Sequence, residues 1–193
     1  MHRKAANHRA ISSQTAPIND RRSNLTLIGM PGAGKSTIGI ILAKVLTLGF
    51  IDTDVLIQIN RQQSLQEIID DRGHLHLRRV EEAEVLKINL SRTVIATGGS
   101  VVYSENAMEH LRKISRIVFL KVDYDQLLAR IGDFEKRGIA KSKNQTFQDL
   151  YEERQPLYSR YAETIFVCGK LGQEEIAKQI ARKFRLQGRL RPE

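Results

Sequence analysis

The sequence lacks the features that mark secreted and membrane proteins. Its single cysteine, Cys168, cannot form a disulfide within the chain, so we expect a reducing compartment, the cytoplasm. No run of residues approaches the roughly 18 consecutive apolar positions that a membrane helix needs. The first thirty residues also hold no apolar block of about 7–15 residues, which a secretory signal requires. We therefore expect no membrane partner.

Aromatic residues are also scarce, with five Tyr, six Phe and no Trp. Proteins that bind single-stranded nucleic acid usually interleave aromatic side chains with basic ones. The net charge of +9 does not indicate a nucleic-acid-binding protein either, because most of it lies near the two ends of the sequence. Residues 1–22 and 182–193 carry +4 each, and residues 23–181 only +1. Basic tails can attract polyanions, but a folded nucleic-acid-binding face would itself carry the excess. We therefore predict that nucleic acid is not the substrate.

Length and composition fit one folded domain with tails. The chain has 193 residues, of which 41% are hydrophobic and 27% charged, enough apolar material for one core. We predict a disordered basic tail over residues 1–23, a folded domain over 24–185 and a second basic tail over 186–193. An organellar transit peptide is the second interpretation of the N-terminal segment, which contains arginine but lacks a clear amphipathic stripe.

Apolar runs and helical patterns alternate along the chain. Five short runs predict buried strands, and segments of helical length separate them. The last helical segment places Ile176, Ile180 and Phe184 on one face. This alternation predicts a five-stranded parallel α/β sheet with helices on both faces and ligands beyond the carboxyl ends of its strands. The predicted strands are 25–28, 50–54, 93–97, 117–122 and 164–168.

A glycine-rich motif follows the first predicted strand. Residues 29–36 read GMPGAGKS, which satisfies the pattern G-x-x-x-x-G-K-[ST] between a strand and a helix. In such a P-loop, glycines let backbone N–H groups surround a phosphate at the positive end of the helix. Lys35 would reach the β- and γ-phosphates of a nucleoside triphosphate, and the Ser36 hydroxyl would bind Mg²⁺. The candidate nucleotide-binding residues are Gly32, Ala33, Gly34, Lys35, Ser36 and Thr37.

Two aspartates, Asp52 and Asp54, end the second predicted strand. Residues two apart on a strand point the same way, so we expect both carboxylates to face the space beside the P-loop. Phosphoryl transfer to an alcohol uses one carboxylate near Mg²⁺ and one near the acceptor hydroxyl. We assign the first task to Asp52 and the second, as base or orienting group, to Asp54. A solvated cap at a strand-to-helix junction is the other interpretation, but the neighbouring P-loop favours catalysis.

Glycines and arginines complete the set of candidates. Gly98 and Gly99 follow the third predicted strand, where bare backbone lets a ligand approach closely. Arg130 precedes a polar segment, about 132–145, that we predict to be a mobile lid, and Arg137 lies within it. A lid arginine can stabilise charge on a transferred phosphoryl group, and guanidinium groups bind carboxylates bidentately, although a single arginine is more often a solvated surface residue. The remaining candidates are Arg78 and Arg154.

The chain from about residue 24 to 184 resembles the shikimate kinases, a family of small P-loop kinases. The motifs that carry the resemblance are GMPGAGKST, FIDTD, LRRVEE, ATGG and ERQPLY, in the family's order and spacing. The resemblance implies an ATP-dependent kinase that converts shikimate to 3-phosphoshikimate with Mg²⁺, in the biosynthesis of chorismate and aromatic amino acids. It also implies the P-loop kinase fold with a mobile lid.

The resemblance assigns roles to the candidates on the acceptor side. It implies that Asp54 binds acceptor hydroxyls and serves as the base. By the same resemblance, Arg78 and Arg154 hold the substrate carboxylate. Gly98 and Gly99 line the same pocket.

On the nucleotide side, the resemblance places Asp52 near Mg²⁺. Arg137 corresponds to the lid arginine that reaches the phosphates, and Arg130 to the arginine packed against adenine. The expected catalytic residues are therefore Lys35, Asp54 and Arg137.

The departures from the family pattern cluster around the acceptor. Ser100 stands where the family usually has a third glycine, and Gly138 where the lid usually has proline. Ile69 and Leu77 occupy the positions of two aromatic residues that pack around the shikimate ring, and His74 replaces a common acidic residue. Shikimate stays the expected acceptor, and loss of the aromatic residues raises the alternative of a different, acyclic hydroxy acid such as homoserine.

Three classes of protein stay open at this point. A kinase of a small hydroxy-carboxylic acid fits all the motifs. A nucleoside monophosphate kinase shares the P-loop and the lid, but Arg78 and Arg154 fit the hydroxy-acid pattern instead. A non-catalytic nucleotide-binding protein is the third class, against which Lys35 and Asp54 argue. We expect a monomer whose partners are ATP and a small hydroxy acid.

Overall fold

In the computed structural model, which describes residues 22–131, 138–142 and 144–186, five parallel strands form one sheet. Their order across the sheet is β2-β3-β1-β4-β5. Parallel pairing places Leu25 of the central strand opposite Val94 on one side and Arg116 on the other. The predicted five-stranded parallel fold is confirmed. The strands are β1 (Asn24–Ile28), β2 (Gly49–Asp52), β3 (Thr93–Ala96), β4 (Ser115–Lys121) and β5 (Thr164–Val167).

Helices cover both faces of this sheet, as the alternating pattern predicted. Helix α1 packs against α8, and α4 packs against α5. None of the helices within the described ranges has the length and apolar character to cross a membrane. The helices are α1 (Lys35–Leu46), α2 (Thr53–Arg61), α3 (Leu65–Arg72), α4 (His74–Leu86), the 3-10 helix η1 (Val101–Tyr103), α5 (Glu105–Ile114), α6 (Tyr124–Ile131), α7 (Phe147–Tyr161) and α8 (Gln173–Leu186).

The core has two parts, of which the smaller one supports the site. The main cluster lies between the sheet and its helices, and every residue of β1 and β3 is buried because both faces are covered. The second cluster joins α2, α3 and α4. Its buried members are Ile57, Ile68, Leu77, Val80 and Ala140.

The second strand ends two residues earlier than the sequence predicted. Strand β2 stops at Asp52, and Asp54 lies in the first turn of α2. The Asp52 side chain accepts a hydrogen bond from the Asp54 N–H (2.9 Å) and so forms the N-cap of that helix. The prediction that both aspartates sit on one strand was therefore wrong, because the capping preference of aspartate starts the helix at Thr53.

The described part of the N-terminal segment contacts the domain. The Arg22 side chain pairs with Glu163, with Nη1 2.5 Å from Oε1. The Ser23 hydroxyl accepts a hydrogen bond from the Arg92 N–H (3.0 Å). Residues 1–21 and 187–193, which make up most of the predicted tails, lie outside the described residues.

Candidate active site

One cavity of about 420 Å³ lies at the carboxyl ends of β1, β2 and β3. Residues of the P-loop follow β1, Asp54 follows β2, and residues 97–100 follow β3; all of them line the cavity. Arg154 of α7 and residues 138–140 also line it. The parallel sheet thus brings segments that are distant in the sequence to one edge.

The P-loop adopts the backbone conformation that its glycines permit. Gly32 and Gly34 have φ values of 80° and 91°, which residues with a Cβ rarely adopt. Gly34 is the N-cap of α1, so the positive end of that helix points at the cavity. Ala33 is buried beside the loop. Of the candidate P-loop residues, those that line the cavity are Gly32, Gly34, Lys35, Ser36 and Thr37.

The Lys35 side chain is buried and folds over the loop. Its Nζ donates hydrogen bonds to the carbonyl oxygens of Gly29 (2.8 Å) and Met30 (3.0 Å). Burial lowers the pKa of Lys35, and the nearby carboxyl groups of Asp54 and Asp52 act in the opposite direction. The acidic neighbours therefore partly offset the effect of burial on this ammonium group.

The side-chain oxygens of Ser36 and Asp52 lie next to each other beside the loop. The Ser36 hydroxyl donates to Asp52 Oδ2 at 2.5 Å. The other carboxyl oxygen of Asp52 is held by the Asp54 N–H, which fixes the orientation of the side chain. Hydroxyl and carboxylate oxygens are the ligands that Mg²⁺ prefers, so this donor set fits a magnesium ion.

Glu81 and Asp54 place two carboxyl groups in the cavity wall, of which Glu81 is buried and Asp54 is half-buried. Burial, reinforced by Asp52, raises the pKa of Asp54 to about 6, against the opposing effect of Lys35. Burial, followed by the charge of Asp54, raises the pKa of Glu81 to about 7. A carboxyl group whose pKa lies near neutrality can take up a proton from a substrate.

Glu81 was not among the sequence candidates, although a signal for it exists. In α4 the buried positions are 77, 80, 81, 84 and 85, which form one helical face. Two glutamates, Glu81 and Glu84, thus stand on a face that otherwise carries apolar residues. A glutamate is rarely buried without a partner or a function, so this pattern points to a site.

Gly98 and Gly99, which follow β3, bring bare backbone into the wall of the cavity. A Cβ at Gly98 would overlap Glu81 Oε1 and lie 2.6 Å from Asp54 Oδ1, so no larger residue fits there. The Gly98 N–H donates to Thr53 Oγ1 (2.9 Å). The Tyr158 hydroxyl donates to the Gly99 carbonyl oxygen (2.6 Å), which fixes the turn against α7.

The two predicted carboxylate-binding arginines occupy different places. Arg154 is almost fully buried (1% exposed) and lines the cavity, with Nη2 donating to the Ala140 carbonyl oxygen (2.7 Å). Arg78 does not line this cavity. Its Cζ atom lies 3.5 Å from the centroid of the Tyr103 ring, beside a neighbouring cavity. The structure therefore brings Arg154, but not Arg78, to Asp54.

The lid candidates are only partly described. Arg130, at the end of α6, lines the cavity and is exposed. Arg137 lies outside the described residues. Residues 138–140 are buried, and the Gly138 N–H donates to Gln66 Oε1 (2.9 Å). Gly138 has a φ of 62°, which the proline usual in the family cannot adopt.

The other departures from the family pattern surround the acceptor side. Leu77 lines the cavity, and Ile69 packs behind it against the second apolar cluster. The Ser100 hydroxyl donates a hydrogen bond to Glu81 Oε2. His74 is the first residue of α4, and burial next to Arg78 lowers its pKa.

A loop of this kind, between the first strand of a parallel sheet and the helix that follows, defines the P-loop class of nucleoside-triphosphate-binding proteins. Within that class, the family model for shikimate kinase matches residues 31–185. The chain belongs to the shikimate kinase family, and the resemblance seen in its motifs is confirmed.

Known members of the family match most of the chain. A shikimate kinase of Caldanaerobacter subterraneus subsp. tengcongensis is 36% identical over 171 residues, which are 86% of this chain and 99% of that protein. One from Clostridium botulinum is 33% identical over 159 residues, 81% of this chain and 94% of that protein. The solved structure of shikimate kinase from Acinetobacter baumannii in complex with shikimate aligns with a TM-score of 0.80 and 26% identity, covering 89% of this chain and 97% of that one.

Proposed function

We propose that this protein transfers the γ-phosphoryl group of ATP to a hydroxyl group of shikimate, giving ADP and 3-phosphoshikimate. The observation that carries the proposal is that one cavity contains the P-loop, a half-buried carboxyl group at Asp54 with a raised pKa and a buried guanidinium group at Arg154. Membership of the shikimate kinase family supports shikimate as the acceptor.

The P-loop side of the cavity binds the triphosphate. Backbone N–H groups of residues 32–36 and the positive end of α1 stabilise the phosphate oxygens. Lys35 adds a positive charge where negative charge develops on the transferred group. Ser36 and Asp52 would hold Mg²⁺, which supplies further charge neutralisation when bound.

Asp54 acts on the acceptor hydroxyl. As the new oxygen–phosphorus bond forms, the hydroxyl proton passes to the Asp54 carboxylate, and the bond between the γ-phosphorus and the bridging oxygen breaks to release ADP. Arg154 binds the acceptor carboxylate with its guanidinium group. The glycines at 98 and 99 leave room for the acceptor beside Asp54. Catalysis then comes mainly from positioning and charge stabilisation.

The lid side of the proposal rests on the family resemblance. Arg137 reaches the transferred phosphoryl group, and Arg130 packs against adenine. Closure of the segment about 132–145 excludes water and suppresses ATP hydrolysis.

The proposal includes a monomeric enzyme in the cytoplasm. Its single cysteine, Cys168, is buried, and burial raises the pKa of the thiol to about 11, so it does not serve as a redox or disulfide group. Light scattering at micromolar concentration checks the oligomeric state.

ADP release with Mg·ATP tests the proposal against a panel of shikimate, homoserine, gluconate, nucleoside monophosphates and no acceptor. We expect turnover with shikimate, and at least about 100-fold less in a Lys35→Ala variant. Homoserine is the informative alternative, because Leu77 and Ile69 provide no ring-stacking surface on the acceptor side. Turnover with homoserine and none with shikimate would refute shikimate as the substrate, while the proposed phosphoryl transfer from ATP would stand.

A further inference from the structure

Arg78 occupies a defined position outside the cavity that holds Asp54. Its guanidinium group stacks on the face of Tyr103 and lines a second cavity, of about 370 Å³, together with that ring. Its Nε atom is buried and has no hydrogen-bond partner among the described residues. The cation–π contact with Tyr103 therefore holds a donor group whose hydrogen bonding is incomplete.

The neighbour with which Arg78 would pair along α4 is engaged elsewhere. Arg78 and Glu81 are three residues apart, a spacing at which opposite charges on a helix attract. Glu81 Oε2 instead accepts the hydroxyl hydrogen bond of Ser100, and Glu81 Oε1 has no partner in the described part of the chain. Ser100 precedes η1 and Tyr103 ends it. Residues 100–103 thus keep Arg78 and Glu81 apart, because Ser100 binds Glu81 and the Tyr103 ring stacks on Arg78.

Tyr103 also stands between the two arginines. Its hydroxyl accepts a hydrogen bond from Arg154 Nε (3.3 Å), while its ring faces Arg78. The Arg154 guanidinium lies 5.2 Å from the ring centroid, on the side of the first cavity. Two like charges repel each other when they converge without an anion, and a carboxylate between them removes that repulsion.

We propose that Tyr103 is a positioning residue that holds the Arg78 guanidinium outside the acceptor cavity, from which the carboxylate of the acceptor draws it inward. This inference rests on the proposed function, in which Arg154 binds the acceptor carboxylate from within the cavity. Binding of the acceptor then requires that the contact between Arg78 and the Tyr103 ring be broken. The apparent affinity for the acceptor is reduced by the fraction of molecules in which Arg78 is stacked.

Steady-state kinetics of two variants isolate the ring of Tyr103. Tyr103→Phe and Tyr103→Leu both lose the hydroxyl contact with Arg154, but only the first keeps a ring under Arg78. We expect the KM for shikimate to be about two- to tenfold lower in Tyr103→Leu than in Tyr103→Phe. The KM for ATP and kcat should agree within about twofold between them. Leu75→Ala, which also alters the wall of the second cavity, should leave the KM for shikimate unchanged.

Nuclear magnetic resonance would test the position of Arg78 directly. Stacking on an aromatic face shifts the Arg78 Hε resonance upfield, and loss of the signal in Arg78→Lys assigns it. We expect this upfield shift in the wild type and in Tyr103→Phe, and its disappearance when shikimate saturates either protein. In Ser100→Gly, which frees Glu81 to pair with Arg78, the shift should shrink even without shikimate.

The outcomes separate this inference from the proposed function. Turnover of shikimate with equal KM values in Tyr103→Phe and Tyr103→Leu overturns the inference and leaves the function intact. An upfield shift that persists at saturating shikimate also overturns it, because Arg78 then stays outside. If Tyr103→Leu fails to fold, the titration of the wild type and of Ser100→Gly decides the matter. If the wild type phosphorylates no carboxylic acid of the panel, the proposed function fails and the inference falls with it.

Discussion

The carboxyl groups of Asp54 and Glu81 converge on the same backbone position, Gly98. Asp54 belongs to α2, Glu81 to α4, and Gly98 to the turn that follows β3. Asp54 Oδ1 lies 2.6 Å from the point where a Cβ of Gly98 would stand, and Glu81 Oε1 would overlap it. Glu81 is buried, Asp54 is half-buried, and both have raised pKa values. The absence of a side chain at Gly98 is therefore what allows the two acidic groups to share one small volume of the cavity.

Replacement of Gly98 tests this arrangement. We expect Gly98→Ala to abolish detectable shikimate turnover and to destabilise the protein by about 1–3 kcal/mol, because the added methyl displaces two carboxyl groups. Binding of ATP should persist, since the atoms nearest to the new methyl belong to Glu81 and Asp54 and not to the P-loop. Gly172→Ala is the matched control, because a Cβ there meets nothing within 4 Å. Wild-type turnover in Gly98→Ala would contradict the geometry of the site.

In the proposed mechanism, Asp54 is the residue that accepts the proton of the acceptor hydroxyl. We expect Asp54→Asn to lower kcat about 10²- to 10⁴-fold, the range typical of a lost general base. The dissociation constant for ATP, measured by calorimetry, should change less than about threefold, because the phosphates bind through the P-loop. Asp125→Asn on the exposed first turn of α6 controls for loss of charge alone. If turnover survives in Asp54→Asn, Asp54 is neither the base nor an essential anchor.

Much of this site follows from the sequence because its parts stand at the ends of strands. The P-loop motif and the parallel fold together place Lys35, Asp54 and Gly98 at one edge, and no detail of side-chain packing is needed for that conclusion. The alternating pattern likewise predicts the five strands, with ends that differ from the structure by no more than two residues. These features depend on local composition and chain topology.

The placement of Arg78 is different in kind. The motif LRRVEE predicts an arginine on α4 but gives no information about which neighbour the long side chain meets. Its position depends on Tyr103, which ends η1, and on Ser100, which precedes it; both lie more than twenty residues away. Glu81 needed the helical face to be assigned before its burial could be recognised. Side-chain partners of this kind are set by tertiary contacts and not by local pattern.

Activity should depend on pH through the Asp54 carboxylate. The base must be ionised to accept a proton, and burial raises its pKa to about 6. We therefore expect kcat/KM for shikimate to fall about tenfold per pH unit below pH 6 and to level off above it. An exposed aspartate would instead give this limb near its ordinary pKa of about 4. A profile that is flat down to pH 5, with the fold intact, would exclude Asp54 as the base.

Stability should change with pH in the opposite direction. The folded-state pKa of Asp54 is raised above its unfolded value, so its contribution to stability is present at pH below about 4 and is lost as the pH rises through about 6. Between pH 4 and pH 8 we expect wild type to lose about 2 kcal/mol of unfolding free energy relative to Asp54→Asn. Urea denaturation of the two proteins at both pH values measures this difference. Parallel stability curves would show that the Asp54 carboxyl group is not desolvated.

The packing of residues 138–140 on α3 gives the last prediction. Gly138 has a φ of 62°, and a Cβ there would lie 2.5 Å from the Cβ of Leu65, so Gly138→Ala adds both strain and overlap. Gly169 has a similar φ of 51° but open space around it, and Gly169→Ala therefore adds strain alone. We expect Gly138→Ala to lower the unfolding free energy by about 1–3 kcal/mol more than Gly169→Ala does.

The same change should reach the acceptor through Ala140. Its carbonyl oxygen accepts the hydrogen bond of Arg154 Nη2, so displacement of 138–140 disturbs the guanidinium group in the cavity. We expect Gly138→Ala to raise the KM for shikimate about three- to tenfold, as a weakened but not fully lost hydrogen bond to a charged group would, and to change the KM for ATP less. Equal KM values for shikimate in Gly138→Ala and Gly169→Ala would show that Arg154 keeps its position without this contact.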